Sequence, residues 1–124
     1  GAGADTLSGG LGSDYLIGDA GADTFLFNAA LGPGNIDGIA DFDTASDNIT
    51  LDDAIFTQAG PVGTLAANAF HIGSAAASAS ERIIYDQATG ALYYDPDGTG
   101  AAAAIQFATV APGLALANTH FHII

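Results

Sequence analysis

Large apolar residues recur at a fixed interval at the start of the chain. Leu7, Leu16 and Phe25 stand nine residues apart, and the residues between them are mainly Gly, Ala, Ser, Thr and Asp. A nine-residue period fits neither an amphipathic helix nor an alternating strand. It fits stacked units, each with one apolar residue that cannot be buried until a neighbour covers it. Each unit divides into a Gly-rich turn of six residues and a three-residue strand with the apolar residue at its centre. Further on, Ile36 to Phe42 alternates apolar with small or polar residues, which predicts a half-buried strand. Another strand is predicted to begin at Ile49–Leu51, followed by a short helical turn at Ala54–Phe56 capped by Asp52-Asp53. Residues 57–69 read as loop, Phe70–Ile72 as a short strand, and the low-complexity run G-S-A-A-A-S-A-S as an internal linker. In residues 82–108 the turn signals Q-A-T-G and P-D-G-T-G separate three apolar segments, which predicts an antiparallel meander. Helix propensity in Ala101–Ala104 opposes this, and the flanking Ile105 and Phe107 decide for strand.

Composition changes this picture in one respect. Asp and Glu number 14 against a single Lys or Arg, giving a formal net charge of −13, while 49% of the 124 residues are hydrophobic. A disordered acidic tail would be far less apolar. Arg82 is the one basic residue besides three histidines, which excludes a nucleic-acid partner and attraction to an anionic membrane surface. The absence of Cys removes disulfides, thiolate chemistry and Cys-based zinc sites. Gly, Pro, Asn or Asp interrupts every apolar run, so no transmembrane helix is expected. The chain opens at Gly1 with neither an initiator Met nor a signal-peptide pattern, which predicts a piece cut from a longer protein.

The repeat gives the charge an address. Asp5, Asp14 and Asp23 share the nine-residue spacing, as do Gly3, Gly12 and Gly21. Glycine lets the chain fold sharply and turn carbonyl oxygens inward, while each Asp supplies a carboxylate at the same corner of its unit. Stacked carboxylates repel one another, and a divalent cation converts the stack into a ladder of hard oxygen ligands suited to Ca²⁺.

The units G-A-G-A-D-T-L-S, G-G-L-G-S-D-Y-L-I and G-D-A-G-A-D-T-F-L resemble the calcium-binding nonapeptide G-G-x-G-x-D-x-U-x of the RTX (repeats-in-toxin) family. The resemblance implies a parallel β-roll in which two nonapeptides make one turn, with units one and three on one side and unit two opposite. Ca²⁺ in such a roll lies between successive turns. Asp5 and Asp23 would then share an ion, with carbonyl groups of Gly1, Gly3, Gly18 and Ala20 as co-ligands. Asp14, with Gly10 and Gly12, needs a partner one turn later. Residues 27–35 do not continue the register, and Asp37 and Asp41 in the following acidic cluster are the candidates to close that site. Asp19 replaces the family's second glycine, either as a further ligand or as an exposed turn residue. Asp43 and Asp47 read as turn residues. The segments I-D-G-I-A-D-F-D and R-I-I-Y-D-x-x-T-G-x-L-Y-Y-D-x-D-G-x-G also resemble the region C-terminal to the repeats in secreted RTX proteins.

Other constellations carry less chemistry. Aligning Gly98 with the invariant Gly of an EF-hand loop puts Tyr93 and Ala104 at ligand positions, so Asp95-Pro96-Asp97-Gly98 reads as a turn. His120 and His122, even joined by His71, lack the Cys or Glu that a transition-metal site needs. Glu81, the only Glu, neighbours Arg82 as a surface pair of small value. No nucleophile elbow, H-E-x-x-H or phosphate loop is present, so no catalytic activity is expected of this chain.

The expected fold is all-β: a short parallel β-roll over residues 1–28, followed by a β-rich cap with antiparallel strands over 29–124. The expected function is that of a calcium-dependent folding and type I secretion module in an exported bacterial protein. Two alternatives stand beside it. One is a calcium-rigidified adhesion module, hinted at by Tyr15, Tyr93 and Tyr94. The other is the non-catalytic tail of a secreted protease, lipase or polysaccharide-modifying enzyme. The apolar end Phe121–Ile124 resembles an uncleaved secretion signal but has Thr119 and His120 where an acidic residue often stands. Edge-to-edge self-association of the short roll is a further expectation.

Overall fold

The structure, a computed structural model, describes residues 3–32, 34–100 and 103–124. Its elements are β1 (Thr6–Leu7), β2 (Tyr15–Leu16), β3 (Thr24–Phe27), β4 (Asp37–Ile39), β5 (Asn48–Leu51), β6 (Gly63–Thr64), β7 (Phe70–Ile72), β8 (Ile83–Asp86), β9 (Ala91–Tyr94), β10 (Ile105–Thr109) and β11 (Phe121–Ile123). Two 3₁₀ turns, Ala67–Ala69 and Asn118–His120, precede β7 and β11. No helix among the described residues is long and apolar enough to cross a membrane.

The strands form two sheets, in the orders β1-β3-β5-β11-β6 and β2-β4-β10-β9-β8-β7. Successive units therefore alternate between sheets, as a β-roll requires. Thr6 pairs with Thr24 and Leu7 with Phe25, 18 residues on, or one turn of two nonapeptides. The same parallel pairing then continues past the uninterrupted repeats. Tyr15 and Leu16 pair with Gly38 and Ile39, 23 residues on. Thr24–Phe27 pairs with Asn48–Leu51, 24 residues on. Insertions lengthen the turns without breaking the stack. One layer further, β10 lies parallel to β4 and β11 parallel to β5, so both sheets of the roll run directly into the C-terminal half.

One side chain per unit fills the space between the sheets. Leu16 and Ile39 enter from one sheet, and Phe25, Ile49 and Phe121 from the other, all at or below 8% exposure. Leu7, at the outer layer, is only partly buried. Beyond the roll, Phe27 and Phe56 meet Phe107 edge-on, with ring centroids 5.2 and 5.0 Å apart. The meander forms as its turn signals predict, β8-β9-β10 being antiparallel. A register shift between Gln106 and Ala108 lets Phe107 join the core. Strand β10 starts at Ile105, and Ala101 and Ala102 lie outside the described residues.

The short helical turn expected after β5 forms: the Asp52 side chain accepts the Ala54 N–H at 2.9 Å, and its carbonyl accepts those of Ile55 and Phe56. The apolar end is built into a sheet, where Phe121 and Ile123 are at most 1% exposed.

Candidate metal centre

The turns of the roll owe their shape to a column of glycines in the left-handed region. Gly3, Gly12 and Gly21 have φ of 103°, 93° and 114°. At Gly21 a β-carbon would collide with the carbonyl oxygen of Gly3 in the layer below, so that position is closed to other residues twice over. Asp19 takes φ 62° where the repeat has glycine, a conformation that Asp tolerates better than most residues.

This backbone aligns the aspartates in two columns held by one recurring bond. The Asp5 N–H donates to Asp23 Oδ1 at 3.0 Å, the Asp14 N–H to Asp37 Oδ1 at 2.8 Å, and the Asp23 N–H to Asp47 Oδ1 at 2.9 Å. Each bond joins one layer to the next on the same side of the roll. Asp23, Asp37 and Asp47 are 0%, 5% and 2% exposed. The second carboxylate oxygens of Asp14 and Asp23 are buried without a hydrogen-bond partner. Glycine keeps the space before them open: a β-carbon on Gly9 would lie 2.7 Å from Asp14 Oδ2 and 3.0 Å from Asp37 Oδ2, and one on Gly18 would collide with Asp23 Oδ2.

An unpaired buried carboxylate is costly unless a proton or a cation neutralises it. Burial pushes the Asp37 carboxyl above its ordinary range; the Asp14 N–H opposes this and the Asp14 carboxylate adds to it. Arg82 gives no relief, because its guanidinium donates to the carbonyls of Ala79 and Glu81. Carboxylates and turn carbonyls are hard oxygen donors, and the opened space beside Asp14, Asp23 and Asp37 fits Ca²⁺. Among the described residues no three His, Cys, Asp or Glu side chains converge on one point. The carboxylates instead come in pairs from successive layers, as at Asp14 and Asp37.

The structure brings Asp5 to Asp23 and Asp14 to Asp37. Asp41 stands elsewhere, its two oxygens accepting the N–H groups of Gly18 at 2.9 Å and Asp19 at 2.6 Å. Gly3 and Ala20 meet across layers, the Gly3 N–H donating to the Ala20 carbonyl at 3.0 Å. Gly12 donates to the side chain of Asn35, which also ties back to the Ala30 carbonyl and so shapes the inserted turn beside Gly10 and Asp37. Gly1 lies outside the described residues.

Asp47 and Asn35 were not singled out by their spacing. The signal for Asp47 lay in a shorter pattern: Asp37-x-Ile39 and Asp47-x-Ile49 repeat Asp5-x-Leu7, Asp14-x-Leu16 and Asp23-x-Phe25 after insertions hide the period of nine. The histidines each have partners of their own. His71 faces Glu81 at 3.5 Å, His122 faces Asn48, and His120 accepts the Ala117 N–H while donating to the Thr44 carbonyl. Glu81 thus pairs with His71, and the Arg82 guanidinium donates to the main-chain carbonyl of Glu81. Of the three tyrosines, Tyr15 is exposed, Tyr93 half-buried and Tyr94 buried.

Comparison with known proteins agrees with this geometry. Residues 1–29 match the family model described as RTX calcium-binding nonapeptide repeat (4 copies). A search among curated proteins gave no match. Residues 1–29 thus carry the RTX-type calcium-binding nonapeptide repeat, and Ca²⁺ is the ion that such repeats bind.

Proposed function

We propose that the chain is a calcium-dependent folding module of an exported bacterial protein. In this reading residues 29–124 cap the repeats of residues 1–28, and any catalysis resides in another part of the parent protein. The observation that carries it is the stack of carboxylates with buried, unpaired oxygens at Asp14 and Asp23, in a chain with one Lys or Arg. Bound Ca²⁺ supplies positive charge and six to eight oxygen-coordination positions. The chain supplies the rest. Asp5 with Asp23 and Asp14 with Asp37 present paired carboxylates, with carbonyls of Gly3, Gly18 and Ala20 as co-ligands of the first pair and those of Gly10 and Gly12 as co-ligands of the second. The glycine turns exclude side chains from the space between layers.

Without the cation these layers repel, which favours an unfolded chain where Ca²⁺ is scarce. Folding then couples to binding. For a site of affinity about 10⁻⁴ M in ~1 mM Ca²⁺, each ion contributes roughly 1.4 kcal/mol, a sizeable share of a small domain's stability. Type I secretion and an extracellular destination rest on the likeness of the repeats to those of exported bacterial proteins. Far-UV circular dichroism of the chain in EGTA and in Ca²⁺ tests the coupling. A coil-like spectrum that becomes β-rich on adding Ca²⁺ is expected, with a weakened response in Asp5→Ala and Asp23→Ala. A fully folded spectrum in EGTA would overturn it.

A further inference from the structure

We propose that His120 is a pH-sensitive latch, fastening the start of β11 to the loop 41–47 only while its ring carries a single proton.

Both ring nitrogens are committed, in opposite senses. Nδ1 accepts the main-chain N–H of Ala117 at 2.9 Å. Nε2 lies 2.8 Å from the carbonyl oxygen of Thr44, which can only accept, so Nε2 carries the proton. A main-chain donor on one side and a carbonyl on the other leave one tautomer of the neutral ring that satisfies both. Through these bonds the ring caps the 3₁₀ turn Asn118–His120 and ties it to a loop 76 residues earlier. Phe42 packs on the ring from that same loop, edge to face with centroids 5.9 Å apart, and belongs itself to the core, against Phe25. The ring is half-buried, so a proton can reach it.

A second proton has one place to go, Nδ1, where it would point at the Ala117 N–H. Two donors then face each other, and the cap is lost. An unfolded histidine takes up its second proton near about pH 6.5 without such a loss. The unfolded chain therefore binds that proton more readily, and the stability that the latch contributes is present above about pH 6.5 and lost as pH falls below it. The other histidines do not share this sensitivity. His71 faces the Glu81 carboxylate at 3.5 Å, a contact that a second proton strengthens, and His122 faces Asn48 Oδ1, an acceptor that a charged ring also satisfies.

The neighbouring acids are engaged elsewhere. The loop 41–47 carries Asp41, Asp43 and Asp47, whose carboxylates accept the N–H groups of Gly18 and Asp19, of Ala45, and of Asp23 and Asp43. The other segments packed on the turn, Gly63–Thr64 and Ala67–Ala69, contain no titratable side chain. The net charge of −13 attracts a proton in folded and unfolded chains alike.

Thermal melting of the whole chain in saturating Ca²⁺ tests the latch, with His120→Gln as the reference that cannot take up the proton. The melting temperature of the wild type minus that of His120→Gln should fall by about 3–5 °C between about pH 7.5 and 5.5. The aspartates, the bound ions and the other two histidines are common to both chains, so the change in this difference belongs to position 120. A difference that stays constant or grows as pH falls overturns the proposal. If His120→Gln does not fold, NMR titration of the wild type decides. Protonation of His120 Nδ1 and a shift of the Ala117 amide signal should then occur together between about pH 7.5 and 5.5. An Ala117 amide that keeps its position while the ring is protonated overturns the latch, as does a ring that stays neutral over that range.

Discussion

At the scale of single residues, the site is defined as much by missing side chains as by carboxylates. Gly9 lies outside the left-handed region, so alanine there brings no backbone strain, yet its methyl would sit 2.7 Å from Asp14 Oδ2. Gly9→Ala should therefore weaken Ca²⁺ binding at the Asp14–Asp37 pair by about tenfold or more, read by isothermal titration. Equal binding in mutant and wild type would place the ion elsewhere. Gly21→Ala differs in kind. It meets backbone and needs φ of 114°, so it should lower stability by roughly 2 kcal/mol or more even in saturating Ca²⁺. Asp95 offers a residue test away from the repeats. It is 5% exposed, and burial holds its carboxyl above the ordinary range, with the Asp97 N–H opposing and the Asp97 carboxylate adding. A raised folded-state pKa means that the protonated form fits the fold and that stability is lost as pH rises through that value. Asp95→Asn removes the charge and keeps an oxygen for the Asp97 N–H. It should melt above the wild type at pH 7, with the gap closing by about pH 3, where the carboxyl is protonated in both states. A gap of constant size would show that the charge is not the cause.

At the scale of elements, the roll was legible wherever period and chemistry coincided. Units one to three carry Asp, Gly and the apolar position in strict register, and their alternation between two sheets follows from it. The meander was legible from its turn residues. The continuation of the roll through β4 and β5 was not, because insertions displace Asp37 and Asp47 from the nine-residue frame. A parallel strand has no short-range partner, so its register can be set only by what it stacks on. The same non-locality explains why the apolar end of the chain gave no sign of its place. Strand β11 lies between β5 and β6, and its main chain runs on so that the Ile124 N–H bonds to the Leu51 carbonyl. Deleting residues 119–124 would expose the edge of β5 and remove Phe121 and Ile123 from the core. Such a chain should fail to reach the wild-type β-rich spectrum at any Ca²⁺ concentration. A native spectrum would show that the strand is dispensable. Phe25→Ala, in the middle of the apolar column, should cost about 3–5 kcal/mol, measured by denaturant unfolding in Ca²⁺.

At the scale of the whole molecule, the net charge of −13 has two parts with different physics. Exposed acids such as Asp43 and Asp53 interact through water and respond to ionic strength. Buried acids such as Asp23, Asp37 and Asp47 are shielded from mobile ions and respond to a cation only if it enters the layer. The two parts predict different responses to added salt. If general repulsion kept the calcium-free chain unfolded, about 0.5 M NaCl, with a Debye length of roughly 4 Å, would screen it and restore the fold. If the buried layers control folding, NaCl should leave the EGTA-treated chain unfolded while millimolar CaCl₂ folds it. MgCl₂ should act weakly, because Mg²⁺ gives up its water reluctantly to a flexible set of carbonyls and carboxylates. Melting temperature should then rise with the logarithm of Ca²⁺ concentration, each tenfold increase adding about 1.4 kcal/mol per ion bound. Recovery of the β-rich spectrum in NaCl and EGTA alone would make the cation a screening agent and the stacked aspartates incidental. A slope that falls when Asp14 or Asp37 becomes Asn would instead count the ions that couple the layers.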